Sequence, residues 1–160
     1  MKEIDGSHGE GGGQILRTAI AMSMVNNEAV RIRNIRANRP NPGLSHQHLM
    51  ALKAAKEISD AETDGLRKGS EIITFKPNYI SGGFYRFDIG TAGSVTLLLQ
   101  ALLPPAFLSD ESITMEVKGG TDVKWSPPYD YFENVFLGNL EKMGGKIESE
   151  CIKRGHYPKG

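Results

Sequence analysis

The same order of predicted strands, turns and helices occurs twice in this chain, and this repetition constrains the fold more than any other feature. Residues 1 to about 80 predict strand, glycine turn, helix, strand, proline breaker, helix, strand and strand. Residues 85–160 predict the same order as far as the last strand. We therefore expect an α/β (α+β) fold of tandem βαβαββ repeats, the first over residues 1–82 and the second over residues 83–160.

Apolar spacing and turn residues place the elements of the first repeat. The predicted elements are a strand at 2–5, a helix at 13–25, a strand containing Val30 and Ile32, a second helix, and a strand pair at 61–64 and 71–75. The breaker Pro-Asn-Pro-Gly precedes the second helix. We therefore expect Asn41 to cap that helix and Pro42 to take its first position.

The second repeat is predicted by the same rules. Its elements are a strand at 85–89, a glycine turn at 90–93, an uncharged helix at 94–103, a strand at 113–117, a helix opened by Pro127 and Pro128, and a strand at 147–152. One face of the last helix carries Tyr129, Phe132, Phe136, Leu140 and Met143. The counterpart of the strand at 71–75 would begin where the sequence finishes, leaving an unpaired sheet edge. We expect this repeat to be truncated and the chain to be part of a longer protein.

Composition excludes several classes of protein. At 39% hydrophobic and 24% charged residues, the 160-residue chain is typical of a globular protein rather than a disordered one. The single cysteine, Cys151, excludes an internal disulfide and is compatible with a reducing compartment. The start of the chain has no apolar run typical of a secretory signal, and the uncharged run at residues 89–108 is interrupted by glycine and proline. We therefore expect a cytoplasmic protein with no membrane span.

The formal net charge of zero hides a local excess of basic residues. Residues 29–56 contain no acidic residue but contain Arg31, Arg33, Arg36, Arg39, Lys53 and Lys56. A segment dense in glycine, residues 6–13, lies before them. Glycine lets backbone amides approach an anion, and a helix start adds partial positive charge. This pattern predicts an anion site, although a tight turn followed by a solvated strand gives the same pattern.

The glycine segment differs from the known phosphate loops. No Lys-Ser/Thr pair follows the glycines, so it is not a Walker loop, and it does not fit Gly-x-Gly-x-x-Gly. It adds a carboxylate, Glu10, and a cation one turn into the helix, Arg17. A carboxylate beside a phosphate is favourable mainly when a divalent cation lies between them. The alternative is a flexible turn with a solvated glutamate.

The basic segment holds further candidate residues. Arg36 and Arg39 follow a strand and precede a helix, and guanidinium groups donate paired hydrogen bonds to phosphate oxygens. Gln47 and His48 lie in the first turns of that helix. His48 shares a face with apolar residues and would equally suit a core position, whereas His46 is expected to be exposed. Histidines two apart do not share a helix face, which argues against a zinc pair.

Two candidates come from the second repeat. Gln100 stands among leucines and must satisfy its amide, either in the core or on a ligand at the preceding glycine turn. Trp125 stands beside Pro127 and Pro128, and this apolar wall would pack on a base or a ribose. The alternative for the tryptophan and the prolines is that they only cap the following helix.

Five segments together resemble the signatures of the RNA 3′-terminal phosphate cyclases. They are Glu-Gly-Gly-Gly-Gln-Ile-Leu-Arg at 10–17, Ile-Arg-Ala-Asn-Arg-Pro at 35–40, Pro-Gly-Leu-x-x-Gln-His at 42–48, Gly-x-Ala-Gly-Ser-x-Thr-Leu-x-Leu-Gln at 90–100, and Gly-Gly-Thr-Asp at 119–122. They occur in the family's order along the whole chain. Members of that family are much longer than this chain, which again predicts a fragment, here the N-terminal half.

The resemblance implies an ATP-dependent ligase that acts in RNA processing. It would convert an RNA 3′-phosphate to a 2′,3′-cyclic phosphodiester in three steps. A histidine attacks the α-phosphate of ATP and releases diphosphate, AMP passes from the histidine to the RNA 3′-phosphate, and the adjacent 2′-hydroxyl then displaces AMP. The implied partners are the RNA end, ATP and the C-terminal half of the same protein, and a homodimer is left open. Nothing in the chain matches the motif of the nucleophilic histidine, so we expect this chain alone to be inactive.

The resemblance also implies roles for individual residues. Glu10 would hold a divalent metal, Mg²⁺ or Mn²⁺, near the phosphates of ATP, and Arg17 and His48 would belong to the catalytic set.

The remaining implied roles concern the substrates. Arg36 and Arg39, together with Arg17, would neutralise the phosphates of ATP or of the RNA end. Gln47 would line the same substrate-binding site, as would His48. Gln100 would contact the nucleotide, and Pro127 would pack near the adenosine.

Two other functions explain the pattern less well. A non-catalytic cyclase-like scaffold in ribosome or RNA processing would not need a metal carboxylate opposite three arginines. An enolpyruvyl transferase shares the architecture and a similar glycine turn at residues 90–94, but it does not explain the motif at residues 10–17.

Overall fold

The structure is a computed structural model that describes residues 1–160. It confirms a mixed α/β fold. The elements in order are β1 (Lys2–Asp5), α1 (Gly13–Asn26), β2 (Val30–Arg33), α2 (His46–Ile58), β3 (Glu62–Asp64), β4 (Ile73–Lys76), β5 (Gly83–Asp88), α3 (Val95–Ala106), β6 (Ile113–Lys118), α4 (Tyr129–Tyr131), a π-helical segment (Phe132–Leu137) and α5 (Gly138–Lys142).

The chain divides into two compact units. The first comprises Met1–Tyr85 and Ala101–Met115, and the second comprises Arg86–Gln100 and Glu116–Gly160. The division at residue 82 between tandem repeats, which the sequence pattern predicts, stays a prediction. None of the helices combines enough length with enough apolar character to span a lipid bilayer.

A four-stranded sheet in the order β1-β2-β4-β3 lies in the first unit. β1 runs parallel to β2, and β4 pairs antiparallel with both β2 and β3. The predicted alternation of β2 is confirmed, because Val30 and Ile32 are buried whereas Arg31 and Arg33 are exposed. This alternation turns one face of the sheet toward the helices and the basic side chains toward the other.

The core of the first unit lies between this sheet and two helices. α1 packs against α2 and contacts β2 and β4. The largest side chains buried there come from both layers: Ile20, Ile32, Ile35, Leu44, Leu52, Ile58, Ile73 and Phe75. Burying such side chains supplies most of the favourable free energy of folding. The start of α1 is thereby fixed beside the sheet, together with the glycine turn before it.

The prediction for the start of the second helix is wrong. α2 begins at His46 and Ser45 takes the N-cap, so neither Asn41 nor Pro42 belongs to the helix. Gly43 has φ +77° and its N–H donates to the carbonyl oxygen of Ile35 at 2.7 Å. That left-handed, cross-loop geometry is incompatible with a helical turn, so residues 34–44 form a loop.

A glycine turn and a helix cap precede α3, which begins in the second unit. β5 pairs with β6 in a separate two-stranded sheet. The Ser94 hydroxyl accepts a hydrogen bond from the Leu97 N–H at 3.1 Å, which is N-cap geometry. Val95, Leu98 and Leu102 are buried, so the uncharged helix is a buried helix as predicted, and it continues through two prolines to Ala106.

The buried face of the last helix differs from the predicted one. It follows Pro128 as expected, and Tyr129 and Phe132 are buried, but Leu137 is buried in place of Phe136 and Met143 is 82% exposed. The π-helical segment explains the change, because its wider turn shifts the following side chains around the helix axis. Local periodicity assumes an unbroken α-helix and cannot foresee this shift.

The strand predicted at residues 147–152 is absent, and this prediction is wrong. Residues 145–150 have no regular structure, and Ile152 is exposed. The segment is held instead by Gly155, which exchanges hydrogen bonds with Thr121, and by Arg154, which pairs with Asp122 and Asp130. Alternating residues form a strand only where a neighbouring strand offers its backbone, and here none does.

Gly43 and Gly69 offer a matched test of the loop that precedes α2. Both have left-handed backbones, with φ +77° and +79°, but a Cβ at residue 43 would lie 2.3 Å from the Gly69 carbonyl oxygen, whereas residue 69 has open space. We expect Gly69→Ala to lower the free energy of unfolding by about 1 kcal/mol through backbone strain alone. Gly43→Ala should lower it by about 3 kcal/mol or more, because the backbone must also move. Urea unfolding measures both, and equal losses would contradict the importance of this contact.

Candidate functional site

The glycine turn before α1 is held against the loop that follows β2. The N–H of Gly6 donates to the Arg33 carbonyl oxygen at 2.7 Å. The Asn38 amide donates to the carbonyl oxygens of Ser7 and Gly9 at 3.0 and 3.3 Å. These bonds join two segments that are far apart in sequence, so the turn is held to the loop although His8, Gly9 and Glu10 are exposed. The start of α1 and the basic loop therefore form one local site.

Glu10 and Arg39 lie at the exposed side of this site. The Arg39 Nη2 donates to the Glu10 Oε2 at 2.9 Å, and a Cβ added at Gly12 would lie 3.3 Å from the same Nη2. Arg39 therefore lies over the glycine turn. An exposed pair of this kind contributes little to stability, so both side chains remain free to take other partners.

Glu10 is also the residue that the family resemblance predicts to hold a divalent metal. No group of three or more His, Cys, Asp or Glu side chains in the structure could hold a metal ion. A cation at Glu10 would therefore have one protein ligand and would take the rest from phosphate and water. Mg²⁺ commonly binds in this way, through one or two carboxylates together with substrate phosphates. The residues present fit a metal that arrives with a phosphate, and they do not fit a permanent metal centre.

Arg36 is held in an unusual backbone conformation. Its φ is +55°, which a residue with a Cβ rarely adopts, and its Nη1 donates to the Gly43 carbonyl oxygen at 2.8 Å. Burial lowers the pKa of the Arg36 guanidinium, and the positive charge of Arg39 lowers it further. Strained residues of this kind are frequent at binding sites, where the surrounding structure enforces them.

Arg17 is the most buried cation of the site. Its Nη2 donates to the Gln14 side-chain oxygen at 2.8 Å, but its Nε is buried and makes no hydrogen bond. Burial lowers the pKa of the Arg17 guanidinium, since a charged group loses its hydration there. No carboxylate pairs with the Arg17 guanidinium, so its positive charge is not compensated by a negative one.

His48 fills the space between these arginines and the start of α1. Its Nδ1 lies 2.7 Å from the Ser45 Oγ, and a Cβ added at Gly13 would lie 1.8 Å from its Nε2. The pKa of His48 is lowered to about 4, first by burial and then by the charges of Arg17 and Arg36. The imidazole is therefore neutral at neutral pH. His46, on the same helix, is exposed as predicted.

The structure brings five of the predicted site residues together. The residues gathered at the start of α1 are Glu10, Arg17, Arg36, Arg39 and His48. Gln47 is half-buried in the first turn of α2, and its role stays a prediction. Gln100 and Pro127 belong to the second unit.

Gln100 and Pro127 are linked through α3. The Thr96 hydroxyl donates to the Pro127 carbonyl oxygen at 2.8 Å. Thr96 and Gln100 are four residues apart on α3 and so share one face of the helix. Trp125 is 96% exposed with φ +66°, and the helix cap is Pro128 rather than the tryptophan. Contact of Gln100 and Pro127 with a nucleotide stays a prediction.

Sequence reasoning missed three residues that hold the site. Asn38 joins the two loops, Ser45 contacts His48, and Asp5 accepts hydrogen bonds from Ser7 and Asn34 that lower the pKa of Asp5 to about 2. A serine three residues before a histidine at a helix start was the available signal for Ser45. The other two act on backbone groups or on side chains remote in sequence, which leaves no local pattern.

The lowered pKa of His48 gives stability a definite pH dependence. Its pKa is about 4 in the folded chain against 6.5 for an unperturbed histidine, so the unfolded state binds more protons between these values. The contribution of His48 to stability should be fully present above pH 6.5. As the pH drops toward 4, loss of this contribution should lower the free energy of unfolding by up to about 3 kcal/mol. An NMR titration of His48 should show a midpoint near 4, and His48→Gln should remove this part of the pH dependence of urea unfolding. A midpoint near 6.5 would contradict the burial described here.

Comparison with known proteins places this chain in a family. A family model described as RNA 3'-terminal phosphate cyclase matches residues 8–160. A relative of that name from Archaeoglobus fulgidus is 61% identical over the whole chain, which covers 49% of the relative. Relatives of the same name from Methanopyrus kandleri and Nitrosospira multiformis are 62% and 51% identical over 99% and 100% of the chain, which covers 45% of each.

The chain spans about half the length of the curated relatives it matches. The matched region contains residues 8–13 of the glycine turn, the basic loop and all the residues gathered at the start of α1. High identity extends from one end of the chain to the other, so the similarity is not confined to a shared motif. The chain therefore belongs to the RNA 3'-terminal phosphate cyclase family.

Proposed function

We propose that this chain forms the phosphate-binding part of an enzyme that uses ATP to convert an RNA 3′-phosphate to a 2′,3′-cyclic phosphodiester. Enzyme-bound AMP and RNA-bound AMP would be its intermediates. The observation that carries the proposal is the buried Arg17 Nε, which has no hydrogen-bond partner in a site where the charges of Arg17 and Arg36 both act on His48. The names of the relatives support the choice of reaction.

The charges at the site favour a phosphate over a neutral ligand. A buried donor without a partner costs about 1–3 kcal/mol, and more when the group is charged. A phosphate oxygen at Arg17 would recover this cost, and the fork-shaped guanidinium suits two oxygens at once. The backbone N–H groups at the start of α1 add further donors, since the first turn of a helix leaves them without internal partners.

The side chain of Glu10 would contribute when the phosphate is accompanied by a metal. A divalent cation supplies positive charge between the carboxylate and the phosphate oxygens. Glu10 would hold this cation and Arg39, released from Glu10, would turn to the phosphate. This arrangement explains why a carboxylate is tolerated in an otherwise cationic site.

We also propose that the histidine that carries AMP lies outside these 160 residues. His8, His46 and His156 are exposed. His48 lies at the start of α1, but its Nδ1 contacts Ser45 and its Nε2 is pressed against Gly13. That ring has the position of a binding group rather than of a nucleophile, which needs open space for the AMP it accepts.

A chimera tests the proposed reaction. This chain would replace the matching region of the Archaeoglobus fulgidus relative, and the product would be incubated with α-labelled ATP, Mg²⁺ or Mn²⁺ and a 3′-phosphorylated RNA. We expect acid-labile label on the protein and a 2′,3′-cyclic end on the RNA. The 160-residue chain alone should show neither.

Glu10→Ala in the chimera should reduce labelling by about tenfold or more, because the metal loses its protein ligand. Glu62→Ala is the matched control, since Glu62 also forms an exposed ion pair, with Lys76 at 3.2 Å, but lies on β3. If the chimera folds and neither labels nor cyclises while the intact relative does both, the scaffold function is favoured. Equal labelling of Glu10→Ala and Glu62→Ala would refute the role of Glu10.

Arg17→Met separates binding from stability in the 160-residue chain. Removing a buried charge that has no partner should raise the free energy of unfolding by about 1 kcal/mol. The same change should abolish the binding of inorganic pyrophosphate measured by calorimetry. Arg31→Met is the control, because Arg31 is exposed on β2 and its ion pair with Glu3 is long, at 3.9 Å. This change should alter neither the free energy of unfolding nor pyrophosphate binding appreciably. A loss of stability in Arg17→Met would show that Arg17 is structural.

A further inference from the structure

Trp125 is the only tryptophan of the chain, and its ring stands in solvent on a strained turn. The residue is 96% exposed and its backbone has φ +66°. A bulky residue rarely adopts this left-handed conformation, which glycine or asparagine takes at a turn with little strain. A side chain so exposed packs against almost nothing that would offset the strain. Strain of this kind is frequent where a residue contacts a ligand.

The turn that carries Trp125 is anchored on both sides. Before it, the Thr121 N–H donates to the Gly155 carbonyl oxygen at 2.9 Å, and the Gly155 N–H donates to the Thr121 Oγ1 at 3.0 Å. After it, the Pro127 carbonyl oxygen accepts from the Thr96 hydroxyl at 2.8 Å. The ring is therefore presented by a fixed turn, so a ligand that stacks on it orders little of the chain on binding.

The charges around Trp125 favour an anionic ligand. The two aspartates nearest to it in sequence, Asp122 and Asp130, both pair with the guanidinium of Arg154. Lys124, the residue directly before the tryptophan, is exposed. The negative charge near the turn is thus compensated within the chain, whereas a cation remains beside the ring. A strand of nucleic acid carries both a base that can stack and a phosphate that such a cation attracts.

The exposure of Trp125 favours an RNA strand over a small nucleotide. A site for a small ligand is concave and covers most of the ligand surface, so an aromatic wall of such a site is itself partly covered. A ring that is 96% exposed lies in no such cleft. Single-stranded RNA has unstacked bases that bind to projecting aromatic side chains without a pocket.

We propose that Trp125 stacks on an unpaired base of the RNA substrate, which makes this turn an RNA-binding site of the second unit. The inference rests on the proposed function, since RNA is a substrate of that reaction, and it deepens that function by adding a contact to the bases. Stacking accepts any base, because every base has a π-face. The contact would therefore hold the RNA strand with little preference for its sequence.

Cyclisation kinetics of the chimera with the Archaeoglobus fulgidus relative test the contact. Trp125→Ala should raise the KM for a 3′-phosphorylated RNA about tenfold, because one base–aromatic stack is lost. The kcat should stay within about twofold, and Trp125→Tyr should recover most of the loss. On an RNA of equal length whose nucleotides near the 3′ end carry no base, Trp125→Ala should not change the KM. Tyr79→Ala is the control, since Tyr79 is also an exposed aromatic residue, at 65%, but lies in the first unit.

Three further measurements separate stacking on RNA from other roles of the ring. Trp125→Ala should leave the urea midpoint of the 160-residue chain unchanged, and a clear fall would show a structural role and overturn the inference. Slower labelling of Trp125→Ala by α-labelled ATP without RNA would assign the ring to ATP and overturn it. The difference in emission between the chimera and Trp125→Phe should be that of an exposed indole that RNA quenches. Emission of a buried indole without RNA would show that the rest of the protein covers the ring, which also overturns the inference.

The kinetics also distinguish failure of this inference from failure of the proposed function. A chimera that labels and cyclises, with the same KM for RNA in Trp125→Ala as in the unaltered chimera, would overturn the inference alone. A folded chimera that neither labels nor cyclises, while the intact relative does both, would overturn the proposed function and this inference together.

Discussion

The buried backbone of Ile35 is the point on which the site depends. Its side chain is 1% exposed, its N–H donates to the Glu71 carbonyl oxygen at 3.0 Å, and its carbonyl oxygen accepts from the Gly43 N–H at 2.7 Å. A loop without regular structure must find partners for its buried backbone groups, and this loop finds them in the chain before β4 and in itself. Arg36 follows directly, so these main-chain bonds place its backbone, and its guanidinium donates in turn to the Gly43 carbonyl oxygen.

The electrostatics of the site follow from this placement. Arg17 comes from α1 and Arg36 from the loop, and neither pairs with a carboxylate. Such a concentration of buried positive charge lowers stability unless a ligand compensates for it, which is a common feature of binding sites. His48 fits between the two because it remains neutral. The zero net charge of the chain is therefore an average that conceals a cationic site.

The spacing of apolar residues along the chain correctly predicted several strands and the first helix. Alternation placed β1, β2 and the pair β3 and β4, and the helical spacing of apolar residues placed α1 within one residue of its observed end. Two of the failures share one cause, which is dependence on distant backbone. The start of α2 was displaced because Gly43 bonds to Ile35, and the strand at residues 147–152 did not form because no strand pairs with it. A π-helical turn shifted the buried face from Phe136 to Leu137, and periodicity cannot detect it.

The sequence by itself determined which chemical groups the chain possesses and in what order. The glycine turn, Glu10 and the arginines of the basic segment already indicated an anion site, because glycine lets backbone amides approach an anion and guanidinium groups donate paired hydrogen bonds to it. Only the tertiary structure decided that His48 lies against Gly13, that Ser45 turns from its helix to the imidazole, and that the Arg17 Nε is left without a partner. The physical reason is that these contacts join α1, α2 and the basic loop, which meet only when the helices pack on the sheet. Spacing along one element sets which face a side chain occupies, but packing between elements sets what that side chain touches.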